Sequence, residues 1–501
     1  MASELKKQVV KGSIWSLLER FSSQIIVFGV SMVLARILTP ADYGTVALLS
    51  LFIVFASVLI DGGLGLALIQ KKDVSELDFN SVFYCSLTLS GLLYVALFFL
   101  SPKIADFYGV PILIDVLRVQ AITLLFASIN TIQNAEIART LQFNLSFKVS
   151  IISSVTSAVV GICMALSGYG VWALVWSQVI SSIVATISRS FIVRWKPKLM
   201  FSFASLKPLF GYGWKMVLVN LIDTFYKNFY GLLIGKIYTK EDLAFVNKGQ
   251  NQPLLLMGSI EGTLSRVALP TMSKLQNEKE RMVSTMRKMI VCSTFFVFPL
   301  MTILGCTAYG QVKLMYGDQW LPCVPYIQLA CFQMSLYPLH NMNLQAIAAC
   351  GRTDLSLTIE IIKKSVSILI VIIAIRYSVW VLMASMAFII GPFSVLVNSW
   401  PNRKLFGYSI EQQVRDILPT TGICIVIGII MFVISLLNMH YIFVLVFQCI
   451  SGVFFYMILS VYFRTKGIRE ILNIGGRDFI SKCPFFLRSY LLKTYNYLEI
   501  D

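Results

Sequence analysis

Long apolar segments alternate with short polar connections along almost the whole chain. Each is about 20 residues or longer, the length that an α-helix needs to cross the hydrocarbon core of a bilayer. The connections carry Gly, Pro, Asn and Asp, which commonly end helices and form turns. The pattern predicts an all-α polytopic membrane protein with about 14 transmembrane helices, at 12–35, 43–64, 81–101, 113–133, 147–166, 170–192, 211–234, 253–273, 289–310, 324–344, 355–375, 378–400, 418–437 and 441–463.

The composition agrees with this pattern. Apolar residues make up 57% of the 501 positions and charged residues only 13%, whereas soluble domains have about 45–50% and about 25%. So few charged residues cannot cover the surfaces of soluble domains in a chain of this length. The composition therefore excludes an ordinary cytosolic enzyme and a disordered protein.

Lysine and arginine are concentrated in alternate predicted loops. The chain has 42 Lys and Arg against 25 Asp and Glu, a net charge of +17. One set of loops, with the termini, holds 27 of the positive residues and the other set holds 7. Because Lys and Arg accumulate in cytoplasmic loops, both termini are expected in the cytoplasm. The surplus indicates an anionic inner leaflet as the partner, and no nucleic acid is expected.

The two halves of the chain resemble each other at an offset of about 200 residues. Four matched pairs occur in the same order: 36–42 with 236–242, 60–64 with 260–264, 108–109 with 316–317, and 169–174 with 377–382. Each half holds six predicted spans, an even number, so both halves enter the membrane from the same side. The repeat therefore predicts two six-helix lobes related by a pseudo-twofold axis along the membrane normal.

The repeat also predicts the domain organisation. The expected parts are an N-lobe at 1–192, a cytoplasmic inter-lobe linker at 193–210, a C-lobe at 211–400, two extra helices at 401–463 and a tail at 464–501. The tail interleaves aromatic and aliphatic residues with Lys and Arg, which is typical of a basic amphipathic segment on the inner leaflet. Two-lobed membrane proteins of this kind bind substrate between the lobes and transport it by rocking. Transport, and no enzyme activity, is therefore expected.

The run Leu34–Gly44, followed by Asp61–Gly65, resembles the start of polysaccharide transporters. These belong to the multidrug/oligosaccharidyl-lipid/polysaccharide (MOP) flippase superfamily, and the branch resembled is that of the Wzx-like lipopolysaccharide, O-antigen and teichuronic acid flippases. The resemblance covers about 1–465. It implies movement of an undecaprenyl-diphosphate-linked glycan from the inner to the outer leaflet of a bacterial cell membrane. It also implies contact with other polysaccharide assembly proteins.

Ionisable side chains inside the predicted spans are candidates for a substrate cavity. Such groups are costly in a bilayer and usually face a cavity or a partner. Positive charge predominates, which suits a diphosphate, since Arg offers a planar donor fork and Lys a compact point charge. The candidates are Glu19, Arg20, Arg118, Lys215, Asp223, Lys227 and Arg266.

The alternative for these charges is mutual neutralisation or snorkelling to the headgroups. Asp223 and Lys227 are four residues apart, so they share a helix face and can pair. A local salt bridge is the default expectation for Glu360 with Lys363 and Lys364.

Asp61 and Glu261 occupy equivalent positions of the repeat, and each is followed by glycine. Symmetry is expected to bring both to an inner gate near the axis. Two close carboxylates repel each other, so one takes up a proton or binds a cation. These residues are therefore the candidate inner gate or ion-coupling site, for a proton or sodium gradient.

Other chemistry has little support in the sequence. The pattern GxxxxGK[ST] of nucleotide-binding loops does not occur, which argues against direct use of ATP. Only two histidines occur, and the cysteines form no CxxC pair. No metal site and no cofactor are therefore expected.

Two further functional classes stay open at this point. A cation-coupled multidrug exporter of the same superfamily would be expected to have an acidic or apolar cavity. A membrane O-antigen polymerase or ligase would need a large outside loop with catalytic Arg or His, whereas the longest predicted outside loop runs only from about 235 to 252.

Overall fold

The computed structural model describes residues 2–61, 63–140, 142–193 and 195–470, with side chains at all of these except 2–14, 16, 17, 20, 21, 143, 212, 215, 263 and 353. All regular elements within these ranges are helices, which confirms the all-α prediction. They are α1 (Ala2–Ile37), α2 (Pro40–Asp61), α3 (Leu64–Gln70), α4 (Glu76–Tyr108), α5 (Leu113–Gln120), α6 (Ile122–Thr140), α7 (Phe143–Leu166), α8 (Val171–Ile192), α9 (Phe203–Ile237), α10 (Lys240–Ser273), α11 (Lys279–Cys306), α12 (Ala308–Met315), α13 (Val324–Ser335), α14 (Tyr337–Ala349), α15 (Thr353–Ala374), α16 (Val379–Ser385), α17 (Gly391–Phe406), α18 (Ile410–Ser435) and α19 (Tyr441–Tyr462). A 3₁₀ turn covers Asp318–Cys323, and a π-helical turn covers Met386–Ile390.

Nine helices in the described part of the chain are long and apolar enough to cross a membrane. They coincide with the second to sixth, the ninth and the twelfth to fourteenth predicted spans, so the chain is a multi-pass membrane protein. The other five predicted spans fall on α1, α9, α10, α13 with α14, and α15. Several of these helices carry charges in mid-sequence, and α14 follows α13 after a break at Leu336. The total of 14 stays a prediction.

The helices form two compact units, which divide between Ala244 and Phe245. In the first unit, α7 packs against both α1 and α8. Leu34, Leu38 and Ala173 are buried where these three helices meet. The helix α4 packs on α5, α6 and α9, and α2 packs on α9.

The chain between α8 and α9 is held against the start of α4. The backbone N–H of Lys198 donates to Asn80 Oδ1 at 2.6 Å, and that of Ser202 donates to Ser81 Oγ at 3.0 Å. The predicted linker at 193–210 also contains the first turns of α9. The boundary between the two compact units lies after α9, whereas the predicted linker lies before most of it. The helix α9 belongs to the first unit because it packs on α2, α3 and α4. The lobe boundaries inferred from the repeat stay a prediction.

In the second unit, α11 is the central helix. It contacts α13, α14, α18 and α19. Its Met286, Ile290 and Phe295 lie in a buried apolar cluster together with Ile427 and Tyr456. Because lipid chains are as apolar as these side chains, van der Waals packing rather than the hydrophobic effect holds such a cluster together within a bilayer.

Three buried amides join α14, α17 and α18 in the same unit. Asn343 Nδ2 donates to Gln413 Oε1 at 2.8 Å, and Gln413 Nε2 donates back to Asn343 Oδ1 at 2.9 Å. Asn402 Nδ2 donates to the same Asn343 Oδ1 at 2.6 Å. All three side chains are fully buried. Because buried amides are costly without partners, this triad fixes how the three helices meet.

Candidate functional site

The first pair of repeated segments forms the same local structure twice, at the corner between α1 and α2 and at the corner between α9 and α10. Thr39 Oγ1 donates to Asp42 Oδ2 at 2.7 Å, and Thr239 Oγ1 donates to Asp242 Oδ2 at 2.7 Å. The backbone N–H groups of Asp42 and Asp242 donate back to the threonine hydroxyls at 3.3 Å and 3.1 Å. A Thr and an acid three residues apart satisfy the open N–H groups at a helix start.

The repeated carboxylates also have matching partners, each within its own unit. Asp61, at the end of α2, accepts a hydrogen bond from Thr131 Oγ1 of α6 at 2.6 Å. Glu261, within α10, accepts one from the Tyr337 hydroxyl at the start of α14. Each partner lies 70 to 76 residues after its carboxylate. A hydroxyl donor stabilises the charged form of a carboxylate and competes with its protonation or with cation binding.

A polar network lies among α1, α6, α7 and α8 of the first unit. Ser150 Oγ donates to Glu19 Oε1 at 2.7 Å. Arg189 Nη1 donates to Asn130 Oδ1 at 2.7 Å, and Gln133 Nε2 donates to Ser190 Oγ at 2.8 Å. Several hydrogen-bonding groups therefore gather inside one unit, and Glu19 is the only predicted cavity residue among those named here.

Arg118 lies apart from that network, on α5. Its Nε donates to Ser101 Oγ of α4 at 3.0 Å, and its guanidinium lies 4.1 Å from the centroid of the Phe98 ring. Both contacts hold the charge against α4. They leave the other guanidinium nitrogens as donors for a further acceptor.

The predicted ion pair between Asp223 and Lys227 is formed on α9. Lys227 Nζ lies 2.7 Å from Asp223 Oδ2, and the two side chains are 70% and 42% exposed. The spacing alone allowed this pairing. Arg266, on α10, is exposed. The side chains of Arg20 and Lys215 lie outside the described residues, as does the tail beyond residue 470.

The second unit carries a second polar group of residues near Glu261. Asn398 Nδ2 lies 2.8 Å from His340 Nδ1 and also donates to the His340 carbonyl at 3.1 Å. Lys363 pairs with Glu360 on α15, as the spacing predicted, and the Lys363 side chain is buried.

The sequence did not point to Thr131, Tyr337 or His340 as partners. The repeat does not relate Thr131 to Tyr337 directly, because they are 206 residues apart whereas the matched segments are offset by 200 or 208 residues.

Metal ligands do not cluster in the described residues. No group of three or more His, Cys, Asp or Glu side chains within them is placed to hold an ion. The polar groups that are present can bind an anion, exchange a proton or take a monovalent cation at a single carboxylate.

Comparisons with known proteins give a consistent picture. A family model described as "Polysaccharide biosynthesis protein" matches residues 33–325. The chain is 25% identical to the teichuronic acid biosynthesis protein TuaB of Bacillus subtilis (strain 168), over 87% of this chain and 91% of that protein. The resemblance to polysaccharide transporters inferred from the sequence is confirmed.

Solved structures share the fold. The lipid II flippase MurJ, in an inward closed conformation, aligns with a TM-score of 0.73 at 16% identity, over 90% of this chain and 99% of that chain. An inward-facing multidrug resistance MATE family transporter of the MOP superfamily aligns with a TM-score of 0.55 at 14% identity, over 78% and 98%. At these identities the likeness concerns the fold alone.

Proposed function

This chain belongs to the polysaccharide biosynthesis protein family, and from that premise we propose that it is a flippase for a lipid-linked oligosaccharide or polysaccharide repeat unit. The observation that carries the proposal is the family match across 33–325 in a chain with nine candidate membrane spans. The similarity to TuaB, which is named a teichuronic acid biosynthesis protein, supports a glycan substrate. The substrate expected from the sequence resemblance is an undecaprenyl-diphosphate-linked glycan.

The proposed architecture has 14 transmembrane helices in two six-helix lobes and two extra helices. Both termini lie in the cytoplasm and the membrane is the bacterial inner membrane. The repeated corners at Thr39 and Thr239 support the internal repeat, because the same capping arrangement occurs at both. Alternating access of the two lobes then moves the substrate, as inverted or parallel repeats do in other transporters.

The proposed cavity takes its charge from the predicted residues. Lys227 supports this role because its side chain is 70% exposed, even with its ammonium paired to Asp223, although it lies within a predicted span. Arg118 supports it because its guanidinium keeps unused donors. Cations at such positions recognise a diphosphate through charge-assisted hydrogen bonds.

Asp61 and Glu261 are proposed as the ion-coupling residues, for a proton or for sodium. Their equivalent places in the repeat and their matching hydroxyl partners support this role. A coupling carboxylate must change its charge state during transport, and its hydroxyl donor sets how readily it does so.

Flippase activity is tested directly in proteoliposomes. The purified chain is reconstituted with a fluorescent undecaprenyl-diphosphate oligosaccharide, and the fraction reachable by a membrane-impermeant quencher is followed with time. Faster equilibration than in protein-free vesicles supports the proposal. An unchanged rate, together with no build-up of lipid-linked intermediates when the protein is depleted in its host, would refute it.

Coupling is tested with matched variants of each carboxylate and its donor. Asp61→Asn and Glu261→Gln are expected to abolish gradient-driven accumulation while equilibration without a gradient continues. Thr131→Val and Tyr337→Phe retain the carboxylates but remove the hydrogen bonds that position them, and are expected to lower gradient-driven accumulation without abolishing it. Normal gradient-driven accumulation in the Asp61→Asn, Glu261→Gln double variant would contradict the assignment.

A cation-coupled multidrug exporter is the second candidate, favoured only by the shared fold with a MATE transporter. Drug susceptibility of cells that lack and overproduce the protein separates the two candidates. A change in drug tolerance without a change in lipid-linked glycans would favour the exporter.

A further inference from the structure

A cavity of about 310 Å³ lies in the second unit, beside parts of α11, α18 and the segment that follows α19. Its lining comes from residues 284–291 of α11 and from residues 466–470, which follow α19. The helix α18 lies beside it, because Asp416 contacts Arg287 and Lys466. The cavity lining includes Arg287, Lys288, Lys466, Arg469 and Glu470. We call these five residues together with Asp416 the Asp416 cluster.

Asp416 is the anchor of this cluster. Its side chain is only 3% exposed, and it accepts from Arg287 Nε at 2.6 Å and from Lys466 Nζ at 2.6 Å. The Tyr408 hydroxyl donates to it at 2.9 Å. A buried carboxylate with two cations fixes both positive side chains at the cavity wall.

The cluster retains positive charge after these pairs are formed. Four cations face two acids, Asp416 and Glu470. Lys288 Nζ is 3.5 Å from Glu470 Oε2, a longer ion pair than those at Asp416. Arg469 is exposed, and the Arg287 side chain is 43% exposed with Nε as its contact to Asp416. The Arg287 guanidinium also lies 5.4 Å from the Tyr408 ring centroid, and its exposed part offers N–H donors to a second, oxygen-bearing acceptor.

The depth of the cluster indicates which acceptor reaches it. The uninterrupted apolar part of α11 begins directly after Lys288, and α19, a candidate membrane span, ends four residues before Lys466. Beneath the cations lie Ile290, Ile417 and Val461 of the apolar cluster. Polar groups directly above an apolar layer occupy the headgroup level of a bilayer, where the phosphates of lipids lie.

We propose that the Asp416 cluster is a binding site for the phosphate of an acidic phospholipid headgroup. Arg287 and Lys466 are positioned by Asp416, and Lys288 and Arg469 supply the additional charge that favours an anionic lipid over a zwitterionic one. The site is distinct from the residues proposed for the transported substrate. One lipid molecule bound there would contact α11 and the segment after α19 directly, and α18 through Asp416.

The test compares two double variants of the full chain that each remove two cations. Lys288→Gln with Arg469→Gln removes cluster charges that do not contact Asp416. Lys279→Gln with Arg281→Gln removes two exposed cations from the first turn of the same helix α11 and serves as the control. Native mass spectrometry of the detergent-solubilised protein measures binding of phosphatidylglycerol, phosphatidylcholine and inorganic diphosphate.

The cluster variant is expected to bind the first phosphatidylglycerol about 30-fold more weakly than the wild type, which corresponds to about 1 kcal/mol for each cation near an anionic lipid. The control is expected to bind like the wild type, and phosphatidylcholine binding is expected to be unchanged in both. Equal phosphatidylglycerol affinity in the two double variants would overturn the proposal. Saturable binding of diphosphate without binding of phosphatidylglycerol would overturn the lipid as the source of the phosphate.

A second measurement uses the wild type alone, in case the cluster variant does not fold. Vesicles that contain a photoactivatable phosphatidylglycerol, with the reactive group on the headgroup, are irradiated with the reconstituted protein. Crosslinks in peptides that cover 284–291 and 466–470 support the site. Crosslinks confined to other peptides would overturn it.

Discussion

The buried amide triad of the second unit gives a sharp prediction, because its members are not equally replaceable. In Asn343→Leu, Gln413 loses the partners of both its Nε2 and its Oε1. Asn402 keeps one bond, since its Nδ2 also donates to the backbone carbonyl of residue 343 at 3.1 Å. Two buried polar atoms without partners cost about 1–3 kcal/mol each, so a loss of about 4 kcal/mol in the free energy of unfolding is expected.

The reciprocal change is expected to be milder. In Gln413→Leu, Asn343 Nδ2 still donates to the Leu339 carbonyl at 2.8 Å, and Asn343 Oδ1 still accepts from Asn402. Only the net stabilisation from two hydrogen bonds is lost, about 1–3 kcal/mol in the free energy of unfolding. The double variant places Leu at both positions and leaves no amide of this pair unsatisfied. It is therefore expected to be more stable than Asn343→Leu alone.

The assay is reversible unfolding in mixed detergent micelles, in which the mole fraction of a denaturing detergent is increased and unfolding is followed by tryptophan fluorescence. It compares the wild type, both single variants and the double variant. Gln345→Leu, at a half-buried amide of the same helix, is the control and should change the free energy of unfolding by less than about 1 kcal/mol. Equal losses in the two single variants that add in the double variant would refute the reasoning. Additivity of that kind would mean that the amides do not depend on each other.

Further predictions concern topology, the cavity and a buried lysine. In a cysteine-free background, Lys240→Cys is expected to react with an impermeant maleimide from the outside of intact cells; labelling only after permeabilisation would reverse the proposed orientation. Arg20→Ala with Lys227→Ala is expected to lower glycan export at least about 10-fold, as loss of one charge-assisted hydrogen bond would, with an unchanged amount of protein in the membrane; wild-type export would remove both residues from the substrate path. Lys248 lies ahead of the eighth predicted span, and burial lowers its pKa to about 8 from 10.5, while its amine lies 4.2 Å from the Tyr316 ring centroid. The folded state then binds fewer protons than the unfolded state between these pH values, so the thermal midpoint of the wild type should rise relative to Lys248→Met from pH 8 to 10.5; a difference independent of pH would contradict this.

Local patterns in the sequence determined much of the helical structure. The apolar runs predicted the nine helices that are long enough to cross the membrane, because the length and hydropathy of a span are properties of a continuous segment. Spacings of three and four residues predicted the ion pairs Asp223 with Lys227 and Glu360 with Lys363, because such residues are neighbours on one helix face. The repeat related Asp61 to Glu261 before any contact of either was known.

The tertiary structure alone decided which helices bring distant polar groups together. Asp61 finds Thr131 70 residues away, Asn343 finds Gln413 at the same separation, and Arg287 finds Asp416 across 129 residues. An apolar helix face does not specify which of many similar faces it packs against, since lipid chains are as apolar as the side chains themselves. Partner choice therefore depends on packing shape and on buried polar groups that must be satisfied together, and these are properties of the assembled helices rather than of any single segment.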